Sequence, residues 1–383
     1  MYSRVCLLCF IVTSSLGHVV SKAGVEENTK TFSVNFDVIH PRDKNCQLMS
    51  NQSKCEVTLS EVHSISIENA DNGMAYVMNI QIGEAKQPFK VMIDTGSDLL
   101  WVFGENCLDR DRFCIGHNKY KFDEEKDYED FEITYGDGNA LGFEMTDVVH
   151  LSDKLSIEDQ LFGAAGYVRG KYEGFDGMMG LNMETTDNHP SVFYNMVEKE
   201  LIDAPSYSLY LKGGKTAVDG GEITFGGHNA DLLEADSGIK TKMISNVETK
   251  VKMTSLKLGD EVYCGEGMDK CVVLVDSGCA LIYGTKAFVD SIHTKIKADE
   301  EGYVDCDEID TFPTVVIMFG DSKMTLEPKF YIEKEEDKCR SSFVDDEEMS
   351  FNWQFGVPFF TKYYIEFNFK HEDESITFWT KKA

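Results

Sequence analysis

Positive charge is what this chain has least of. Lys and Arg number 37 against 67 Asp and Glu, a formal net charge of −30. That balance argues against a nucleic acid partner or an anionic membrane surface, both of which need clustered cations. It suits a soluble protein, and one that works where many carboxylates are protonated. Metal-binding patterns are missing too. The nine histidines include no H-E-x-x-H and no clear nucleophile partner. None of the cysteines beyond the N-terminal run forms a C-x-x-C pair, and no His pair follows at zinc-finger spacing. GDGNALG (136–142) lacks the G-x-G-x-x-G spacing of a dinucleotide loop and runs into strand-like alternation. No metal and no cofactor is expected.

What is present begins with an apolar run, Val5 to Val12 (VCLLCFIV), behind Met-Tyr-Ser-Arg and ahead of Ser15-Leu16-Gly17. A charged start, a short apolar stretch and small residues read as a secretory signal over 1–17, too short for a membrane anchor. No later stretch approaches the length of a membrane span. Setting aside Cys6 and Cys9 leaves nine of the eleven cysteines. The close spacings 46/55, 107/114 and 264/271 read as short disulfide loops formed in an oxidising compartment. Connectivity stays open at this level, and an odd count leaves at least one thiol over. Asn51-Gln52-Ser53 is the one N-glycosylation sequon.

The body of the chain is mostly β. Short alternating or apolar runs recur (YVMNIQI, FKVMI, FEITY, EITFGG, VVLVD, TVVIMF, YYIEFNF), punctuated by Gly, Asp and Asn. TFSVNFDVIH (31–40) is a further strand-like run in an otherwise polar segment. Two stretches predict helices, SVFYNMVEKEL (191–201) after Pro190 and KAFVDSIHTKIKA (286–298). An internal repeat is visible. VMIDTGSDLLW (91–101) returns as VLVDSGCALIY (273–283), and GFDGMMGL (174–181) has a partner in NWQFGVPFF (352–360). With 383 residues, two similar β lobes with a cleft between them are the expectation.

Such a duplication would bring Asp94 and Asp276 face to face. A carboxylate at the end of an apolar strand loses hydration unless polar groups receive it, and two carboxylates forced together share one proton. The ionised member can take a proton from water while the protonated one donates to a carbonyl, so water adds to an amide without a metal or a covalent intermediate. Gly96 and Gly278 suit the sharp turn at each acid, and Ser97 offers a hydroxyl to an outer carboxylate oxygen. A lone D-T-G-S is often a surface turn. Two matched copies in a duplicated β chain are a strong signal.

From about residue 67 to residue 382 the chain resembles the pepsin-like aspartic endopeptidases, the group that includes cathepsin D and nematode digestive enzymes. The resemblance implies a bilobal acid-protease fold with Asp94 and Asp276 as the catalytic acids. It implies a flap hairpin over FEITYGDGNALGFEMTDVV (131–149), with Tyr135 the flap tyrosine, Gly136 to Gly138 its tip, and Trp101 the tyrosine's partner. It pairs Cys107 with Cys114, Cys264 with Cys271 and Cys306 with Cys339, with Cys46–Cys55 an additional candidate. The organisation it implies is a signal at 1–17, a prosegment-like region at 18–63, an N-terminal lobe at 64–228 and a C-terminal lobe at 229–383. Extended polypeptides are the implied substrates and pepstatin-type inhibitors the implied ligands, for a monomer delivered by the secretory pathway to the exterior or to a lysosomal or endosomal lumen.

The chain departs from that pattern in three places. The second motif reads DSGCA, so Cys279 stands where the family has a hydroxyl residue bonding the outer oxygen of the second aspartate. A thiol is a weak donor, which predicts a raised pKa for Asp276; Ala280 removes a further hydroxyl. Val357 follows Gly356 where the family commonly has Asp, and losing that charge pulls the pKa of Asp276 the other way. Residues 18–63 are not notably basic, although Lys44 and Lys54 are candidates to pair with the two acids, and removal at about residues 55–64 is expected. These departures motivate an alternative, a catalytically weakened relative that binds peptides or inhibitors.

Overall fold

Two strands of the same kind end at the two aspartates. Gln87–Asp94 sends Phe89, Val91 and Ile93 into the main core, while Met92 packs on the other face with Trp101. Val272–Val275, with Val273, Leu274 and Val275 buried, stops just before Asp276. A strand covered on both faces reads as a continuous apolar run rather than as alternation, which is how both appear in the sequence.

The computed structural model describes residues 62–382, except 71–74, 124–125, 136–137, 171, 173, 184, 187–188, 214–219, 269–270, 336 and 346–352; of residues 1–61 it describes only the backbone of five short strands. By contacts the chain falls into two units, Met1–Ser60 and Glu61–Ala383. In the first, Gly17–Ala23 pairs antiparallel with Thr13–Ser14 and with Val34–Ile39, the strand expected within TFSVNFDVIH. Cys46–Met49 and Gln52–Cys55 form a hairpin whose register sets Cys46 opposite Cys55.

In the second unit the repeat becomes topology. Gly177–Gly180 lies parallel to Gln87–Asp94, with Gly180 beside Asp94, and antiparallel to Leu100–Phe103. Trp353–Phe355 lies parallel to Val272–Val275 and antiparallel to Ile282–Gly284. Each half thus inserts a late strand between the strand that leads to its aspartate and the strand that leaves it. Gly180 and Gly356 make the insertion possible. A Cβ on Gly180 would lie 2.4 Å from the Leu99 backbone nitrogen, and one on Gly356 would lie 2.1 Å from the Leu281 carbonyl oxygen.

The expected strand runs all appear as strands, and the fold is bilobal and mostly β. One 13-stranded sheet carries the first half and continues through His63–Ala70, Gly221–Phe225 and Ser206–Leu211 into Tyr363–Asn368, Ser375–Thr380 and Ile239–Lys242. Smaller sheets of five, four and three strands build most of the second half. One continuous apolar cluster runs from Ile67 through Phe193 and Tyr207 to Phe288, Trp353 and Phe378.

Both expected helices are present, with tighter limits. Val192–Glu198 starts at Ser191, whose hydroxyl accepts from the Tyr194 N–H at 2.9 Å, so Pro190 lies just outside the cap. Lys286–Ile296 buries Phe288, Val289, Ile292 and Ile296 on one face and ends at Lys297 in the left-handed region. A further helix, Val357–Lys362, was not anticipated. It begins directly after Gly356 with Pro358 in its first turn, where a missing N–H costs nothing. Among the described residues no helix is long and apolar enough to cross a membrane.

Phe288 anchors the second helix, with Tyr263, Phe343 and Trp353 rings within 5.1–5.2 Å of its own. Phe288→Ala should lower unfolding free energy by about 3–5 kcal/mol, read from urea denaturation. A loss below about 1 kcal/mol would show that the site collapses around the cavity.

Candidate active site

The two D-[ST]-G loops are bolted to each other. The Thr95 hydroxyl donates to the Val275 carbonyl at 2.9 Å and accepts the Ser277 N–H at 2.9 Å. Ser277 answers: its hydroxyl donates to the Ile93 carbonyl at 2.7 Å and accepts the Thr95 N–H at 3.1 Å. Thr249 adds a hydroxyl shared by the Thr95 and Val275 carbonyls, at 2.8 and 3.0 Å. All three side chains are buried, so each bond replaces hydration already lost. The residue after each aspartate must therefore carry a hydroxyl, and Ser277 serves as well as a threonine would.

This grip fixes Asp94 and Asp276 against one another. Asp94 accepts the Gly96 N–H at 2.8 Å and the Ser97 hydroxyl; Asp276 accepts the Gly278 N–H at 2.8 Å. Each glycine also faces the opposite acid. A Cβ on Gly96 would fall 2.6 Å from an Asp276 carboxylate oxygen, and one on Gly278 would fall 2.5 Å from Asp94 Oδ1. The glycines are thus required by close approach and not by a positive φ. Both acids are buried, at 5% and 8% exposure. Burial first, then the charge of Asp94 and the hydrogen bond between the two carboxyls, push Asp276 well above the usual carboxylate range.

Around Asp276 the structure adds a donor that the motif did not show. The Cys279 thiol donates to the Leu281 carbonyl at 3.3 Å. The outer oxygen of Asp276 accepts the side-chain amide of Gln354, a residue that sequence reasoning passed over. Val357 is buried, and its N–H donates to the Cys279 carbonyl at 2.8 Å. Tyr207 was also missed. Its buried hydroxyl finds no hydrogen-bond partner among the described residues, and burial followed by the charges of Asp94 and Asp276 raises its pKa well above the ordinary value.

The expected flap is a hairpin, Asp130–Tyr135 against Gly138–His150, with Tyr135 opposite Gly138. Its turn residues, including Gly136, lie outside the described residues. Gly138 is pressed against the neighbouring strand, where a Cβ would meet the Arg169 carbonyl at 2.1 Å. The Trp101 indole N–H donates to the Tyr135 hydroxyl at 3.0 Å, and Tyr135 also bonds Ser97. A continuous polar path therefore runs from Trp101 through Tyr135 and Ser97 to Asp94. Burial and the charge of Asp94 hold the Tyr135 phenol well above its ordinary pKa, so it stays a neutral donor.

Disulfides join Cys107 to Cys114, Cys264 to Cys271 and Cys306 to Cys339, the three pairs that the resemblance implied, and Cys279 lies outside them. Asn51 and the side chains of Cys46 and Cys55 lie outside the described residues. Among the described residues no cluster of three or more His, Cys, Asp or Glu side chains could hold a metal ion.

Comparison with known proteins agrees with this geometry. A family model for eukaryotic aspartyl proteases matches residues 75–378. Cathepsin D of Dictyostelium discoideum is 31% identical over 326 residues, covering 77% of this chain and 80% of its own. A vacuolar aspartic protease of Candida albicans is 33% identical over 287 residues, covering 70% of this chain and 66% of its own. A probable vacuolar protease A of Arthroderma benhamiae is 29% identical over 345 residues, with 86% and 83% covered.

The raised pKa of Asp276 has a sign for stability. The folded protein holds a proton that the unfolded chain releases near pH 4, so this group's stabilisation is complete below that pH and is lost as pH rises through the folded pKa. Asp276→Asn, which keeps a hydrogen-bonding side chain without the titration, should flatten the decline of melting temperature with pH above about 4. An unchanged slope in the variant would show that Asp276 is not the group responsible.

Proposed function

The chain belongs to the eukaryotic aspartyl protease family, and from that premise we propose that its peptide-bond hydrolysis is carried by Asp94 and Asp276 acting on one water. The protein is an aspartic-type endopeptidase, and its substrates are polypeptides. The observation that supports these two residues is the reciprocal packing in which each loop's glycine lies against the other loop's carboxylate.

In this reading Asp276, kept protonated by burial beside Asp94, donates its proton to the scissile carbonyl oxygen. Asp94, held by Gly96 and Ser97, takes a proton from the water as its oxygen bonds to the carbonyl carbon. The tetrahedral diol then collapses. One hydroxyl proton returns to Asp276, the C–N bond breaks, and the proton on Asp94 passes to the departing amine. Tyr135, tethered by Trp101, closes over the substrate, with Gly136 and Gly138 forming the tip. The peptide lies extended and pairs with the flap like an added strand, with bulky apolar residues flanking the cleaved bond.

The relatives' vacuolar names and cathepsin D support a lysosomal or vacuolar lumen as the compartment, with secretion the other destination. The reading includes a signal at 1–17, a prosegment at 18–63 removed at about residues 55–64, lobes over 64–228 and 229–383, carbohydrate on Asn51, a Cys46–Cys55 bridge, a monomer, and inhibition by pepstatin-type compounds. The weakened-relative alternative was motivated by Cys279, Ala280, Val357 and the weakly basic prosegment; against the first of these stands the Gln354 amide on the outer oxygen of Asp276.

Turnover of a quenched fluorescent peptide between pH 3 and 7 tests the assignment. Asp94→Asn should fall roughly 10²–10⁴-fold, and pepstatin should stop the wild type. Undiminished turnover in Asp94→Asn would sink the dyad.

A further inference from the structure

We propose that Gln354 is a positioning residue for the reaction, holding the outer oxygen of Asp276 in the place that a hydroxyl at position 279 would otherwise fill. The proposal rests on the reading of Asp94 and Asp276 as the catalytic pair. It explains why a second motif written DSGCA still presents a carboxylate with both oxygens engaged.

Three observations carry it. The Gln354 amide donates to Asp276 Oδ2 while the Gly278 N–H serves Oδ1. The Cys279 thiol reaches the Leu281 carbonyl at 3.3 Å, and a thiol is in any case a weak donor to a carboxylate. Gln354 itself sits on clamped backbone. Its strand lies parallel to Val272–Val275, with Leu274 as its Cα partner, and antiparallel to Ile282–Gly284, with Tyr283 opposite. Just after it in sequence, the Asp276 N–H donates to the Phe355 carbonyl at 3.0 Å and the Val357 N–H to the Cys279 carbonyl at 2.8 Å. The amide is therefore oriented before substrate arrives, which is the condition for a hydrogen bond to tune a reacting group.

The consequence is a matter of protonation. Asp94 across the dyad raises the pKa of Asp276, while the nearby Tyr207 phenol is held neutral by its burial and by the charges of both acids. The Gly278 N–H and the Gln354 amide act in the opposite direction, favouring the charged carboxylate. The second lobe has thus kept the electrostatic service of a hydroxyl while moving its source from the loop to the neighbouring strand.

The test uses the full chain after acid exposure, with turnover of a quenched fluorescent peptide followed from pH 3 to 7 for wild type, Gln354→Leu, Gln354→Met, Cys279→Thr with Gln354→Leu, and Asp276→Asn. Losing a hydrogen bond to a charged group should move the alkaline limb of kcat upward by about one pH unit in Gln354→Leu. KM should stay within about twofold, because the amide orients an acid and not the substrate. Restoring a hydroxyl in the double variant should bring the limb back. Inactive Asp276→Asn beside a Gln354→Leu profile identical to wild type would overturn this proposal and leave the dyad standing. Active Asp276→Asn would remove the dyad and this proposal with it. If Gln354→Leu and Gln354→Met both fail to fold, Gln354 is a structural residue and the proposal is wrong.

Discussion

The exchange of hydrogen bonds between Thr95 and Ser277 is the constraint on which the rest of this molecule turns. Each side chain reaches across to the other loop's backbone and receives that loop's N–H in return. Because both residues are buried, neither loop can move without stranding polar groups in the core. Two carboxylates repel when both are charged, and nothing in their own chemistry would keep them in contact. The grip keeps them together, and the shared proton follows from the enforced proximity. An apolar strand that ends in an acid and then a hydroxyl residue is therefore one device: the strand delivers the acid and the hydroxyl locks it to its twin.

The symmetry of the backbone is not matched in the side chains. Asp94 takes its outer-oxygen donor from Ser97, three residues along the same loop, and that serine is linked to the flap through Tyr135 and Trp101. Asp276 takes its donor from Gln354, on a neighbouring strand. The polar path from the flap hairpin thus reaches Asp94. That asymmetry gives the two carboxyls different surroundings although their loops match in sequence.

Much of this was legible in the sequence, for physical reasons. Two copies of apolar-apolar-Asp-[ST]-Gly carry their own strand, turn and locking hydroxyl, and local information of that kind survives folding unchanged. The helix at Lys286–Ile296 announced itself by its spacing, and the hairpin beyond Phe131 was implied by its resemblance to the flap of pepsin-like enzymes. Gln354 could not be read this way. It lies between Trp353 and Phe355 in a short strand whose pattern predicts only burial, and its partner is 78 positions away. Position 279 shows the complementary limit, since a residue type marks a site but not which way its side chain turns. A signal did exist: a polar residue in the strand repeating Met178–Met179, where the first half is wholly apolar.

The great sheet has one further implication, for the order in which the molecule is made. Its inner strand Ser206–Leu211 pairs with Tyr363–Asn368, which pairs in turn with Ser375–Thr380, and only then is Ile239–Lys242 attached. Residues 363–380 are thus the partners of residues made much earlier, 206–211 and 239–242. Until Tyr363–Asn368 and Ser375–Thr380 emerge, Ser206–Leu211 and Ile239–Lys242 lack the sheet partners that these strands give them among the described residues. The nascent chain must carry an open β edge while residues 243–362 are made. A protein that digests others is in this way assembled at the seam joining its halves only after every residue of both D-[ST]-G loops has been built.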